Sequence, residues 1–176
     1  NNLDRVSVNT VSGRSLKSSA TLSGKGMFDR GIRFLEQTVW DGTADLNEAI
    51  RRKELSGSGV SVLLSDFFIP EGIEEAVKYL RYKKQEVVLL HILSPQELSP
   101  ELEGQIRLLD SETRETRDIA VTPNLLRQYE AELNRFMGRL REFAVKMGAV
   151  YVQVSSGDLL EKVVFETLAQ SGLIDM

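Results

Sequence analysis

Apolar residues along the chain switch repeatedly between strand-like alternation and helix-like spacing. Val6 to Val11 alternates and stops at Ser12-Gly13, predicting a strand, and Ser15 to Thr21 predicts a second strand returning beside it as a hairpin. A helix is predicted from Met27 to Thr38 with Phe28, Ile32 and Leu35 on its buried face, broken by Trp40-Asp41-Gly42-Thr43. A second starts near Ala44 and buries Leu46, Ala49 and Ile50. After the loop Ser56-Gly57-Ser58-Gly59 comes a strand, Val60 to Leu64, read as buried. Pro70 and Gly72 then open a helix whose stripe is Ile73, Val77 and Leu80. Val87 to Leu93 is apolar on both faces, as in a central strand covered by helices on both sides.

From Gln105 to Val121 the pattern becomes two short strands around Asp110-Ser111-Glu112-Thr113, a hairpin added to the sheet. A long helix follows from Pro123 to Met147, with Thr122 as N-cap, Pro123 at the first position and Gly148 just past the end. Its buried stripe is Leu126, Tyr129, Leu133, Phe136, Leu140, Phe143 and Met147. A strand, Val150 to Val154, and a helix, Asp158 to Gln170, close the chain. This alternation predicts one α/β domain over 1–176, three-layered, with a mostly parallel, doubly wound sheet. The strands near Val6, Val60, Val87 and Val150 are expected to be parallel, and the one near Leu16 antiparallel at an edge. Ligands of such sheets bind beyond the carboxyl ends of the strands, so the residues there are the ones to question.

Composition narrows the chemistry. The 176 residues suit one domain, large enough to hide roughly 70% of the surface that the unfolded chain exposes. With no cysteine and a single histidine, thiolate and His-rich metal sites are excluded, so a metal here would be a hard ion held by oxygen. A net charge of −4 without a clustered basic face argues against nucleic-acid binding. Arg51-Arg52-Lys53 and Arg81-Tyr82-Lys83-Lys84 read as solvated helix faces. No apolar run approaches the ~20 residues of a bilayer span, and the absence of cysteine suits a cytoplasmic protein.

Two positions could carry chemistry. Ser65-Asp66 follows the strand Val60 to Leu64, putting a carboxylate at the sheet's carboxyl edge, and Thr43 lies in the loop before a helix. A hydroxyl and a carboxylate held there could support a hydrated Mg²⁺. On spacing alone simpler readings compete: Thr43 capping the helix, Asp45 favoured by its dipole, and Asp66 shaping a turn. His91 shares a face with Val87, Leu89 and Leu93 and reads as a core histidine rather than a catalytic one. Asp110, Glu112, Arg114, Glu115 and Arg117 read as the charged tip of the hairpin, with a partner-binding loop as the other reading.

Gly42-Thr43-Ala44-Asp45-Leu46, followed by a hydrophobic strand ending Leu64-Ser65-Asp66-Phe67, resembles von Willebrand factor A-like domains. More narrowly the chain is similar to the bacterial family domain of unknown function 58. Leu3-Asp4-Arg5-Val6, Leu89 to Leu98, Leu108-Leu109-Asp110-Ser111-Glu112-Thr113 and the helix containing Tyr129 fit that family too. The resemblance implies a metal-ion-dependent adhesion site, in which one loop supplies D-x-S-x-S, a second a threonine and a third an aspartate. Thr43 matches the second loop and Asp66 the third. The first has no match, since Asp110-Ser111-Glu112-Thr113 has glutamate where serine is needed. In the family that motif lies on a first, central strand upstream of the segment matching Leu3-Asp4-Arg5-Val6. The expectation is therefore a fold without its first strand and an incomplete site, with the open edge closed by re-pairing or by a homodimer.

What the resemblance implies for function is a protein-interaction module rather than an enzyme. A Mg²⁺ would complete its coordination with an acidic residue of a partner, and the family context points to a MoxR-type AAA+ ATPase. The rival is a metal-dependent hydrolase or phosphotransferase using Asp66 with Asp45 or His91. Against the rival, the sequence has no glycine-rich phosphate loop, nucleophile elbow or compelling second carboxylate.

Overall fold

The computed structural model describes residues 5–13, 15–39, 45–55, 57–69, 72–109 and 115–168. They fall into two compact units, Asn1–Leu55 and Ser56–Met176.

In the first unit the N-terminal alternation gives β1, Asn9–Ser12, paired antiparallel with β2, Ser15–Ser18. Ser12 sits opposite Ser15, and Gly13 adopts a left-handed φ of 57°, the backbone that a two-residue hairpin turn demands. The expectation that the strand near Val6 joins the parallel sheet is therefore corrected. Val6 makes only an isolated antiparallel bridge to Leu22, and β1 and β2 form a two-stranded sheet of their own. A tight turn forces the following strand to run back beside its predecessor, and that local pairing takes the ladder. Helix α1, Met27–Glu36, has the expected extent, but Phe28, Ile32 and Leu35 on its stripe are exposed. Its buried residue is Gly31, where an added Cβ would stand 3.2 Å from Leu22 Cδ1. Helix α2, Leu46–Arg51, buries Ala49 and Ile50 as expected, with Leu46 half-buried.

The second unit is built on three parallel strands in the order β3-β4-β7: β3, Gly59–Ser65; β4, Gln85–Leu93; β7, Val150–Ser155. The parallel arrangement expected of the strands near Val60, Val87 and Val150 is what the sheet shows. Helix α3, Glu74–Tyr82, connects β3 to β4 and buries Ala76, Val77 and Leu80. The short α4, Pro95–Leu98, comes next, followed by a hairpin of β5, Gly104–Leu109, and β6, Thr116–Val121. The hairpin was expected as an addition to the main sheet; it is a separate antiparallel pair. Helix α5, Pro123–Lys146, then returns the chain to β7. Thr122 caps it by accepting from Leu125 N, and Gly148 follows it at φ 63°. A last helix, α6, Leu160–Lys162, passes directly into a π-helical stretch, Val163–Leu168, that packs against β7.

The core sits on β4. Val87, Leu89, His91 and Leu93 on one face are all buried, and Val88 on the other face is buried too. Phe136 of α5 touches His91 on the first of these faces. β3 departs from expectation. It was read as buried, yet Val60, Val62 and Leu64 are 62%, 49% and 62% exposed. These residues alternate with the half-buried Ser61, Leu63 and Ser65, so one face of β3 is exposed and the other is partly covered.

Candidate functional site

The parallel strands end together, and each of the three carries a serine and a nearby acid at its carboxyl end. After β3 these are Ser65 and Asp66. Phe67 N donates to Ser65 Oγ at 3.0 Å, Phe68 N donates to Asp66 Oδ1 at 3.1 Å, and Ser65 Oγ donates to the same oxygen at 3.3 Å. The Asp66 carboxylate therefore shapes its own turn, the simpler of its two readings, while remaining exposed at the sheet's carboxyl edge. After β4, Ser94 caps α4 in a capping box, its Oγ accepting from Glu97 N at 3.2 Å and its N donating to Glu97 Oε2 at 2.6 Å. After β7, Ser155 N donates to Asp158 Oδ2 at 3.4 Å, and Gly157 N to Ser155 Oγ at 3.2 Å. Neither of these two edge turns was singled out from the sequence. The first was legible as S-x-x-E in Ser94-Pro95-Gln96-Glu97.

The backbone at Phe67 is unusual. Its φ is 54°, a left-handed conformation costly for a bulky residue, yet its ring is buried. The cost is about 1–2 kcal/mol, and burying a phenylalanine ring is worth about 1.5–3 kcal/mol, so burial wins. What receives the ring is His91, at 5.6 Å between centroids and 64° between planes. His91 is itself fully buried, edge-on to Phe136 at 5.8 Å and 84° and to Tyr151 at 5.8 Å and 65°. Its core placement is the one expected. His91 Nδ1 and Tyr151 Oη are 2.7 Å apart. Among the described residues, His91 Nε2 is the buried side-chain polar atom with no hydrogen-bond partner. Burial pushes the His91 pKa below its ordinary value; the Asp66 main chain and carboxylate, then Glu97, pull the other way. Burial also raises the Tyr151 phenol, against the nearby Arg141 guanidinium, which lies over its ring at 5.6 Å.

Of the two candidate metal ligands, Asp66 lies at the strand end where it was expected, and Thr43 lies outside the described residues. The cap of α2 is Asp45, whose carboxylate accepts from Glu48 N at 3.0 Å. Asp110 to Arg114 also lie outside the described residues; Glu115 and Arg117 approach each other at 3.8 Å on the exposed hairpin. Among the described residues no group of three or more His, Cys, Asp or Glu comes together to hold a metal. Those residues alone do not complete a cation site: Asp66 supplies one hard oxygen donor, and an octahedral ion needs more.

The described residues form a mixed α/β structure, with a parallel three-stranded sheet flanked by helices and two separate antiparallel hairpins. The family model described as "Protein of unknown function DUF58" matches residues 1–137, and the chain belongs to that family. Among solved structures, the chain is similar to an aerotolerance-related membrane protein from Bacteroides fragilis NCTC 9343, carrying multiple mutations to serines. That likeness has 15% identity, covers 95% of this chain and 80% of that one, and has a TM-score of 0.51. It is also similar to the conserved hypothetical protein BatB from Bacteroides thetaiotaomicron, at 15% identity over 97% of this chain and 80% of that one, with a TM-score of 0.47. At such identity the likeness concerns the fold alone. The curated proteins include no match. Among the described residues no helix is long and apolar enough to cross a membrane.

Proposed function

We propose that this chain is a protein-interaction module rather than an enzyme, and that it binds its partner at the carboxyl edge of the β3-β4-β7 sheet through Asp66. One observation carries this reading. Asp66 is an exposed carboxylate at the end of an edge strand, on a turn whose following residue is clamped into the core in a costly backbone conformation. Strain of that kind persists where the surroundings over-determine it, and it clusters at binding sites. In this reading the Asp66 carboxylate contributes oxygen to a hydrated Mg²⁺, and an acidic residue of the partner completes its coordination. A MoxR-type AAA+ ATPase is the partner the family resemblance suggests, and a second copy of the chain at the open edge of β3 is the expected self-association.

Mn²⁺ titrated into the ¹⁵N-labelled protein tests the site, because paramagnetic broadening reports even weak, partial occupancy. Broadening should centre on residues 65–68 and vanish in Asp66→Ala. Broadening centred elsewhere, or unchanged by Asp66→Ala, would remove Asp66 from any cation site and overturn the proposal.

A further inference from the structure

His91, Phe136 and Tyr151, beneath the Asp66 turn, have no role in the reading above, and with Phe67 they make a connected set. His91 stands opposite Ser65 in the β3-β4 register, one strand in from the turn. Its ring receives Phe67, and Phe136 stands edge-on to it while itself stacking on Phe68 at 5.2 Å between centroids. Both residues that follow Asp66 are thereby anchored, Phe67 on β4 and Phe68 on α5, while Ser65, which precedes it, is fixed in the ladder. Asp66 is the exposed residue between fixed points. The imidazole is fixed in turn by Tyr151 on β7, whose phenol reaches Nδ1. Among the described residues, Nε2 is the buried side-chain polar atom without a hydrogen-bond partner.

We propose that His91, anchored by Tyr151, is a positioning residue for Asp66: it holds Phe67 left-handed and so directs the carboxylate out of the sheet's carboxyl edge. An imidazole suits this place because it combines a flat ring for Phe67 with a nitrogen that Tyr151 can hold in one orientation. A fully buried polar ring with one satisfied nitrogen is costly as mere filler, since a buried polar atom left unpaired has lost its hydration without replacement. The inference rests on reading Asp66 as part of an interaction site, but its first test does not.

The test uses the labelled full chain and two substitutions. His91→Phe keeps an aromatic ring and removes both nitrogens; Tyr151→Phe removes only the hydroxyl that orients the imidazole. Val77→Ala, a cavity in α3, controls for simple loss of stability. The ¹³Cα shift and HN–Hα coupling of Phe67 report its left-handed backbone. Both signals should lose their left-handed signature in His91→Phe and Tyr151→Phe, and keep it in Val77→Ala despite a lower Tm. Mn²⁺ broadening at residues 65–68 should weaken in step. An unchanged Phe67 in Tyr151→Phe, or an equal change in Val77→Ala, would overturn the positioning role. If His91→Phe does not fold, Tyr151→Phe decides alone. If the unsubstituted protein shows no Asp66-dependent broadening, the interaction-site reading fails while the Phe67 signals still judge the positioning role.

Discussion

Phe67 and His91 show how much of this protein depends on single side chains that the sequence places but does not pair. Periodicity puts His91 on the inner face of β4 with Val87, Leu89 and Leu93, which is where it lies. Nothing in that pattern says that Phe67, two residues beyond a strand, folds back onto it. Removing the Phe67 ring should be expensive: Phe67→Ala is expected to cost about 3–5 kcal/mol, read as a lower denaturant midpoint. Phe67→Gly relieves the left-handed strain and should cost less than the alanine variant by about 1 kcal/mol. A glycine variant no more stable than alanine would show that the strain is absent in solution. His91 gives a pH dependence with a definite sign. Its folded pKa lies below the ordinary 6.5, so between the two values the unfolded chain binds more protons. The stability contributed by neutral His91 is complete above 6.5 and is lost as pH falls from there towards the folded value. Tm should therefore drop on acidification below 6.5, and less steeply in His91→Phe; equal slopes would show that other groups dominate.

Elements with several agreeing local signals were legible, and α5 is the clearest. Its cap, its first-turn proline, its terminating glycine and its stripe all specify the same helix, and the structure has it from Pro123 to Lys146. Thr122→Ala should destabilise by about 1 kcal/mol, and Leu140→Ala, in the buried stripe, by about 2–5 kcal/mol; both follow from urea midpoints at constant slope. A Thr122 variant as stable as the parent would mean that the helix end is held by packing instead. α1 shows the limit of the same reasoning. Its spacing defines an apolar stripe but cannot say what covers it, and Phe28 is 75% exposed. β3 fails in the same way. Val60 to Leu64 is as apolar as a central strand, and only its place in the order β3-β4-β7 makes it an edge.

At the scale of the whole molecule, residues 56–176 hold a parallel sheet with its own buried set: Phe67, Ile73, Val77, Leu89, Leu93 and Val154. Expressed alone, this segment should melt cooperatively by circular dichroism, since its strands, crossovers and core are internal to it. A non-cooperative melt would show that its core depends on residues 1–55. The open edge of β3 and the exposed Val60, Val62 and Leu64 should make the segment self-associate, and Leu64→Lys should reduce that in light scattering, because charge on an edge strand opposes pairing.

By itself the sequence determined what depends on neighbours within a few positions. That covers the alternation of strands and helices, the cap of α5, the hairpin of β5 and β6, the parallel sense of the strands near Val60, Val87 and Val150, and a carboxylate at the end of β3. These follow from side-chain period and backbone preference, which are local. Strand order, the separation of β1 and β2 into their own sheet, the exposure of β3 and the gathering of Phe67, Phe136 and Tyr151 around His91 were decided only by tertiary structure. Each depends on which segments meet across long stretches of chain: His91 and Tyr151 bond across 60 positions, a distance at which hydrophobic period carries no information about partners.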